Sequence, residues 1–279
     1  MEKKVPELPE VETIRRELEP LIMGKVFAEP LLHMPTTIAS PAPGEFVSGL
    51  SGRKVTSLGR RGKYLVIHLD SGMLVVHLRM TGNLAYIEKG SSGEERFLRV
   101  TLPFTDGAAL YYSDMRRFGR LWLVCSKEEL ESLVMKNTGP DIVNDLTREE
   151  FIELLGKKVR RGLKALLLDQ KIAAGMGNIY TDECLFRCGI HPSSAAGKLS
   201  QEEAGKLYDA VQAVLAEGIE YGGTTFRDYR NASGALGDFQ SRLAVYNRKG
   251  EKCRCGAEIE KTVVAGRGTY FCPHCQKSS

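Results

Sequence analysis

Apolar residues first recur at a helical interval. Val11, Ile14 and Leu18 lie three to four positions apart, Pro9 suits a first helical turn and Gly24 ends the run, so the pattern predicts a helix from about Pro9 to Ile22. From Arg53 onward the pattern becomes strand-like. Lys54–Leu58, Lys63–Leu69, a turn at Asp70-Ser-Gly and then Met73–Met80 read as neighbouring antiparallel strands. Further β segments follow at Phe97–Leu102, Ala109–Ser113 and Arg120–Val124. One helix followed by many short strands predicts a β-sandwich over residues 6 to about 135.

The middle of the chain is patterned differently. Asn137–Asp145 reads as a linker, and Thr147 with Glu150 three residues later is the start signal of a helix. A further helix is expected at Gly162–Gln170. A glycine-rich turn, Ala173–Asn178, then leads into Asn178–Gly189, and Ser200 with Glu203 opens a long helix to about Tyr221. This second domain is mostly helical. Gly222–Asp238 is glycine-rich and reads as mobile, and the stretch from about Leu243 reads as a small β unit carrying cysteines.

Composition narrows the class. With 279 residues, 42% hydrophobic and 27% charged, the chain has the make-up of a soluble globular protein of two domains, or two and an appendage. No apolar run approaches the roughly 18 residues of a membrane span, and the N-terminal residues lack the apolar stretch of a secretory signal. Seven cysteines, an odd number with two close pairs near the C-terminus, suit a reducing compartment and a metal site better than a disulfide framework. The net charge of +4 says little, but its distribution says more. Residues 230–279 hold nine Lys/Arg against four Asp/Glu, while the rest of the chain holds 30 against 31. The basic C-terminal fifth points to a polyanion partner.

Four segments carry candidate chemistry. Cys253 and Cys255, then Cys272 and Cys275 after a hairpin-sized insert, form the pattern of a structural tetrahedral zinc site. A unit of about 35 residues cannot fold on its own core, so a metal is the expected staple. An eroded finger held by packing is the competing reading, and His274 is a conceivable substitute ligand. Between the pairs, Ala265-Gly-Arg267-Gly places Arg267 at a hairpin tip, as a solvated turn residue or a DNA contact. Gly175-Met-Gly-Asn178 can cradle a phosphate or simply start a helix. Ser113–Phe118 sets Arg116 and Arg117 beside an aromatic. That arrangement fits a wedge entering a groove, or equally an arginine paired to Asp114 with a core phenylalanine.

These pieces join once the N-terminus is read. Pro6-Glu-Leu-Pro-Glu10-Val-Glu-Thr resembles the start of the formamidopyrimidine-DNA glycosylase family. The resemblance continues in order through Arg61-Gly-Lys63-Tyr-Leu, His77-Leu-Arg-Met80-Thr-Gly, Asp114-Met-Arg-Arg-Phe-Gly119 and Leu168-Asp-Gln170. It runs on through Gly177-Asn-Ile-Tyr180, Gly189-Ile-His-Pro192, Gly222-Gly-Thr-Thr225, Tyr246, Arg248-Lys-Gly250 and Gly266-Arg-Gly-Thr269, covering residues 6 to 277. It implies an α+β, multi-domain fold. The expected parts are a catalytic β-sandwich with flanking helices over 6–136, a linker over 137–145, a helix–two-turn–helix domain over 146–242 with a lesion-capping loop at 222–238, and a β-hairpin zinc finger over 243–279.

The resemblance also implies the chemistry. Members flip an oxidised purine such as 8-oxoguanine or a formamidopyrimidine out of the duplex, displace it with the N-terminal proline amine, and cut the strand by β- and δ-elimination. A terminal amine titrates near 8 against about 10.4 for lysine, leaving on the order of a hundredfold more neutral amine at pH 7. By carry-over, Pro6 is the nucleophile, Glu7 the acid–base group, Lys63 the β-elimination proton donor and Arg267 the δ-elimination donor and phosphate clamp. Glu10 orders the first turn. Met80, Arg116 and Phe118 fill the gap left by the flipped base, Asn178 and Arg160 hold the DNA backbone, and Phe226, Arg227, Asp228 and Tyr229 cap the lesion. One structural zinc ion, damaged double-stranded DNA as partner, a monomeric state, no membrane association and a bacterial cytoplasmic location follow as expectations.

The sequence departs from the family pattern in three places. Arg96-Phe-Leu-Arg99 stands where members often carry histidines, so the phosphate contact is expected at Arg96 or Arg99. The first cysteine pair is one residue short. Five residues, MEKKV, precede the proline; valine codons can start bacterial translation, so residues 1–5 are expected to be a start-site artefact or an extension. If they stay attached, the Pro6 nitrogen is a tertiary amide and the chain reads as a non-catalytic lesion-binding protein. An endonuclease VIII-like enzyme for oxidised pyrimidines is the near alternative, disfavoured by Leu8 and the intact Arg116-Arg-Phe118-Gly. A simple zinc-finger module leaves Glu7 and Lys63 unexplained.

Overall fold

The computed structural model describes residues 6–91, 96–157, 161–225, 232 and 234–277. The chain divides into two compact units, one of residues up to Asn137 together with Tyr221–Asp238, the other of Thr138–Glu220 and Phe239–Ser279.

The first unit opens with α1 (Leu8–Ile22), which follows the predicted stripe and begins one residue earlier. Leu8, Val11, Ile14, Leu18 and Ile22 are all buried. After β1 (Leu31–Leu32), β2 (Ile38–Ser40) and α2 (Pro43–Leu50) come β3 (Val55–Arg61), β4 (Tyr64–Leu69), β5 (Met73–His77), β6 (Gly82–Ile87), β7 (Leu98–Pro103), β8 (Ala109–Asp114) and β9 (Arg120–Val124). They form one sheet in the order β1-β7-β8-β6 and another in the order β2-β9-β5-β4-β3. Among the described strands of these two sheets, β2–β9 is the parallel pairing and the others are antiparallel.

A single core gathers α1, α2 and strands of both sheets, with Phe46, Ile67, Leu74, Leu102 and Leu110 fully buried. Val66, Val75 and Val124 form a second cluster with Leu130, Val134 and Met135, from the π-helical turn that follows α3 (Lys127–Glu129). Apolar partners on both faces explain why β4 and β5 read as near-continuous hydrophobic runs rather than alternating ones. The strand expected to reach Met80 ends at His77, because Arg79 takes a positive φ of 55° and turns the chain.

The second unit contains α4 (Arg148–Gly156), α5 (Leu163–Leu167), α6 (Asn178–Arg187), α7 (Gln201–Glu220) and the antiparallel pair β10 (Glu260–Val264) and β11 (Arg267–Phe271). Both predicted capping boxes form. Thr147 Oγ1 accepts from Glu150 N at 3.2 Å and Glu150 Oε2 from Thr147 N at 2.8 Å, and Ser200 and Glu203 repeat the exchange at the same distances. Residues 138–145 are not a free linker. Gly139 N donates to Gln170 O, Ile142 is fully buried, and the Asp141 carboxylate accepts from Val143 N and Asn144 N.

The glycine-rich segment groups with the first unit rather than with the helices. Thr224 N donates to Glu10 Oε1 at 2.7 Å, Ala232 N to Glu17 Oε2 at 2.8 Å, and Tyr86 N to Ala232 O at 3.0 Å. Contacts between residues 146 to 215 positions apart leave no local pattern by which sequence could assign the segment.

Candidate active site

In the first unit the chemistry begins at the start of α1. Pro6 and Glu7 are both buried there. Glu10 ties them down. One of its carboxylate oxygens accepts from Glu7 N at 2.8 Å and the other from Thr224 N at 2.7 Å. Gly223, at φ +80°, passes so close that a Cβ there would lie 2.8 Å from Glu10 Cγ. The segment that would carry the nucleophile and the start of the Gly222–Asp238 loop therefore share one carboxylate.

Lys63 lies half-buried in the turn between β3 and β4. Arg60 connects that turn to the helix: its Nε bonds Glu12 at 3.3 Å and its Nη1 donates to Gly62 O at 2.9 Å. Burial would raise the Glu12 carboxyl, but hydrogen bonds from Arg15 and Arg16 and the charges of Arg15 and Arg60 hold it below the usual glutamate value. His77, cross-strand from Tyr64, is pushed down to about 3 by burial and then by the charges of Arg79 and Lys63. It is neutral, and its Nδ1 accepts from Arg79 N at 3.0 Å.

The turns 78–82 and 115–119 present the wedge candidates. Arg116 Nη1 lies 3.0 Å from Met80 Sδ, its guanidinium sits 4.8 Å from the centroid of the Phe118 ring, and Phe118 is 48% exposed. Among the described residues the Asp114 carboxylate pairs with no guanidinium. Its carboxylate is taken by the Thr81 hydroxyl and the amides of Arg116 and Gly119. An arginine paired to Asp114 over a core phenylalanine is therefore not what the geometry shows. Arg96 is exposed and stacks on Phe97 at 4.8 Å, whereas Arg99 commits its Nε to Asp114 O at 2.9 Å.

In the second unit Gln170 builds the Ala173–Asn178 turn. Its Nε2 donates to Leu168 O and Met176 O at 3.0 and 2.8 Å, and its Oε1 accepts from Gly175 N at 3.1 Å. Asn178 opens α6 and donates Nδ2 to Gly268 O at 2.8 Å, so it touches the residue after Arg267. The hairpin turns on Ala265 (φ 52°) and Gly266 (φ 70°), a pair of positive values typical of a two-residue hairpin turn. Arg267 is thereby the exposed first residue of β11.

Beneath it lies a buried pair that sequence reading did not find. Lys164 Nζ, wholly buried, bonds Asp182 Oδ1 at 2.6 Å and Thr269 Oγ1 at 2.7 Å. Asp182 Oδ2 accepts from Tyr270 N at 2.9 Å. Glu183, also buried, accepts from the amides of Ala244, Val245 and Tyr246. Signals for these were weak: one lysine in the apolar stretch Leu163–Leu168 and two adjacent acids in the apolar part of α6.

The four cysteine sulfurs of Cys253, Cys255, Cys272 and Cys275 lie within 4.8 Å of one another. Cys253–Cys275 and Cys255–Cys272 are 3.8 and 3.5 Å apart. A tetrahedral zinc with Zn–S bonds of about 2.3 Å requires S···S of about 3.8 Å. The shortened first pair therefore still closes a zinc site, and His274 lies exposed outside it. Gln276 fastens the finger, with Oε1 accepting from Cys272 N and Nε2 donating to Ile190 O. Residues 1–5, Arg160, Phe226, Arg227, Asp228 and Tyr229 lie outside the described residues.

The first unit thus carries the proline-led acidic helix and the strand-turn lysine, and the second carries the hairpin with its exposed arginine and clustered cysteines. Comparison with known proteins identifies the class. The family model "Formamidopyrimidine-DNA glycosylase N-terminal domain" matches residues 5–121, "Formamidopyrimidine-DNA glycosylase H2TH domain" matches 138–230, and "Zinc finger found in FPG and IleRS" matches 250–277. Formamidopyrimidine-DNA glycosylases of Bacillus licheniformis and Geobacillus kaustophilus are 43% and 44% identical to the chain, each over 98% of it and 100% of the relative. A solved Lactococcus lactis FPG mutant in complex with Fapy-dG-containing DNA superposes with a TM-score of 0.89 at 37% identity, over 98% of this chain and 100% of that one. MutM in complex with carbocyclic 8-oxo-G-containing DNA gives 0.88 at 37% identity, with the same coverage.

The chain belongs to the formamidopyrimidine-DNA glycosylase family. It is a base-excision repair glycosylase and AP lyase acting on oxidised purines in DNA, with one structural zinc ion.

Proposed function

We propose that Pro6 is the nucleophile, acting as residue one, and that Glu7, Lys63 and Arg267 serve it in turn. The observation that carries this reading is the bracing of Pro6-Glu7 and Lys63 by one helix: Glu10 holds the Glu7 amide, and Glu12 through Arg60 holds the Lys63 turn. The free Pro6 amine attacks the sugar C1′, an N–C1′ bond forms, and the C1′–N bond to the damaged base breaks, the base leaving with a proton. Glu7 manages the proton of the ring oxygen as the sugar opens to an iminium. Loss of a C2′ proton expels the 3′ phosphate with Lys63 as the proton carrier, and a second elimination aided by Arg267 expels the 5′ phosphate. Water then releases the sugar fragment from Pro6.

Met80, Arg116 and Phe118 occupy the space of the flipped base. Arg96, Arg99, Arg160 and Asn178 face phosphates, and Phe226, Arg227, Asp228 and Tyr229 cap the lesion. Zinc holds the finger and takes no part in the reaction. The enzyme works on damaged double-stranded DNA as a cytoplasmic monomer; a reducing compartment keeps the four zinc thiolates available.

The test is borohydride trapping on 8-oxoguanine duplex with two preparations, one beginning at Pro6 and one retaining Met1. The first is expected to give a covalent adduct and the second none. Equal trapping by both would overturn the assignment of Pro6.

A further inference from the structure

Met80, Arg116 and Phe118 come from two separate irregular turns, so something other than secondary structure must fix their spacing. A buried polar knot does so. Asp114, the last residue of β8, is 1% exposed. Its Oδ1 accepts from the Thr81 hydroxyl and from Arg116 N at 3.1 Å, and its Oδ2 from Gly119 N at 2.8 Å. Thr81 Oγ1 in turn accepts from Arg116 N at 3.0 Å. Each wedge residue is thus at or next to a knotted atom: Met80 precedes Thr81, Arg116 donates its own amide, and Phe118 precedes Gly119.

The same strand closes the knot from beneath. The Tyr112 hydroxyl lies against both turns, where a Cβ on Gly119 would meet it at 1.6 Å and one on Gly82 at 2.7 Å. The Asp114 backbone extends the tie to a third turn, donating to Phe97 O at 3.0 Å and accepting from Arg99 Nε at 2.9 Å. Arg79, Phe97 and Arg117, one from each turn, sit at φ of 55°, 62° and 63°. Bulky residues hold such values only where their surroundings over-determine them.

We infer that Asp114 and Thr81 are positioning residues which lock the two wedge turns in register and so set how fast the duplex is opened and how well the base opposite the lesion is discriminated. The inference rests on the proposed wedge role of Met80, Arg116 and Phe118. Thr81→Val keeps the side-chain shape but cannot bond Asp114 or Arg116 N, Thr81→Ser restores the hydroxyl, and Asp114→Asn removes one acceptor.

The experiment follows duplex opening by 2-aminopurine fluorescence beside 8-oxoguanine, and excision opposite cytosine and opposite adenine in single turnovers. Borohydride trapping on a single-stranded abasic oligonucleotide, which has no duplex to open, reads the chemistry alone. Thr81→Val and Asp114→Asn are expected to slow opening about tenfold or more, on the scale of losses from ångström misplacements, and to shrink the cytosine-over-adenine ratio. Single-strand trapping stays near the parent rate and Thr81→Ser restores opening. A parallel fall in opening and in single-strand trapping, or unchanged opening in Thr81→Val, would overturn the proposal. Phe118→Ala separates the two layers. Normal opening in that variant removes the wedge reading and the inference with it, while slow opening there beside normal opening in Thr81→Val removes the inference alone.

Discussion

The Lys164–Asp182 pair gives the sharpest test of how the hairpin bearing Arg267 is held. Both side chains are 0% exposed, and Lys164 Nζ reaches Asp182 and Thr269 at 2.6 and 2.7 Å. Burial pushes the Asp182 carboxyl up to about 7, against the opposing charge of Lys164 and the donor Tyr270 N. Lys164→Met fills most of the volume but strands a buried carboxylate and the Thr269 hydroxyl. Removing one partner of a buried pair costs about 3–5 kcal/mol. With a urea m-value near 2 kcal/mol/M, the unfolding midpoint should fall by roughly 2 M.

Asp182→Asn alone should also destabilise, because it leaves the ammonium without its counter-charge. In the double variant no buried charge is left alone. The singles should therefore exceed the double by about 2 kcal/mol or more, a coupling within the range seen for contacting residues. The loosened hairpin should also shift the strand-cleavage products from β,δ-elimination towards β-elimination. Urea unfolding of the four proteins, followed by ellipticity, measures the cycle. A Lys164→Met cost below about 1 kcal/mol, or singles that add within about 0.5 kcal/mol, would refute the reasoning.

Other expectations follow from single contacts. Gly119→Ala puts a Cβ 1.6 Å from the Tyr112 hydroxyl and should cost about 1–3 kcal/mol, partly recovered by adding Tyr112→Phe; thermal midpoints of the three proteins check it. His77, held near 3 in the fold against an ordinary 6.5, makes the folded unit bind fewer protons than the unfolded chain between those values. Its contribution is full above about pH 6.5 and is lost as pH falls toward 3, at up to about 1.4 kcal/mol per pH unit; His77→Gln should lose less stability than the parent on acidification, read by urea midpoints. Stripping zinc should unfold the finger, since ligand binding and folding are one event in such a unit. Protease cleavage within 250–277 should appear as one equivalent of metal is released, and a stripped protein whose hairpin resists cleavage would count against the structural role.

The legible parts of the fold were those with local causes. The stripe Val11, Ile14, Leu18 and the proline at its start mark α1, and the Thr147/Glu150 and Ser200/Glu203 pairs mark two helix starts to within a residue. The zinc site was readable because its ligand chemistry needs four thiolates in two close pairs. By contrast α2 opens on Pro43, which suits a first turn, but contains Gly44 and Gly49, poor helix formers. Gly49 lets α2 approach β9, where a Cβ would meet Leu123 at 2.9 Å, so tertiary packing decides that helix.

Within the candidate site, Pro6, Glu7, Lys63 and Arg267 stand in motifs that resemblance could match. The groups that brace those motifs were hidden by distance along the chain. Lys164 meets partners 18 and 105 residues away, and Glu10 meets Thr224 across 214. Asp114 and Thr81 were visible as letters of two motifs, but their joint role depends on a 33-residue separation that only the strand register closes.

The central claim is that the amine of Pro6 becomes bonded to the sugar. The direct measurement is tandem mass spectrometry of the borohydride-reduced adduct, after nuclease and protease digestion, from enzyme trapped on 8-oxoguanine duplex. The sugar remnant is expected on the nitrogen of Pro6, in a peptide that begins with Pro6-Glu-Leu-Pro. A remnant on Lys63, or on Lys3 or Lys4 of a chain that still carries its first five residues, would contradict it.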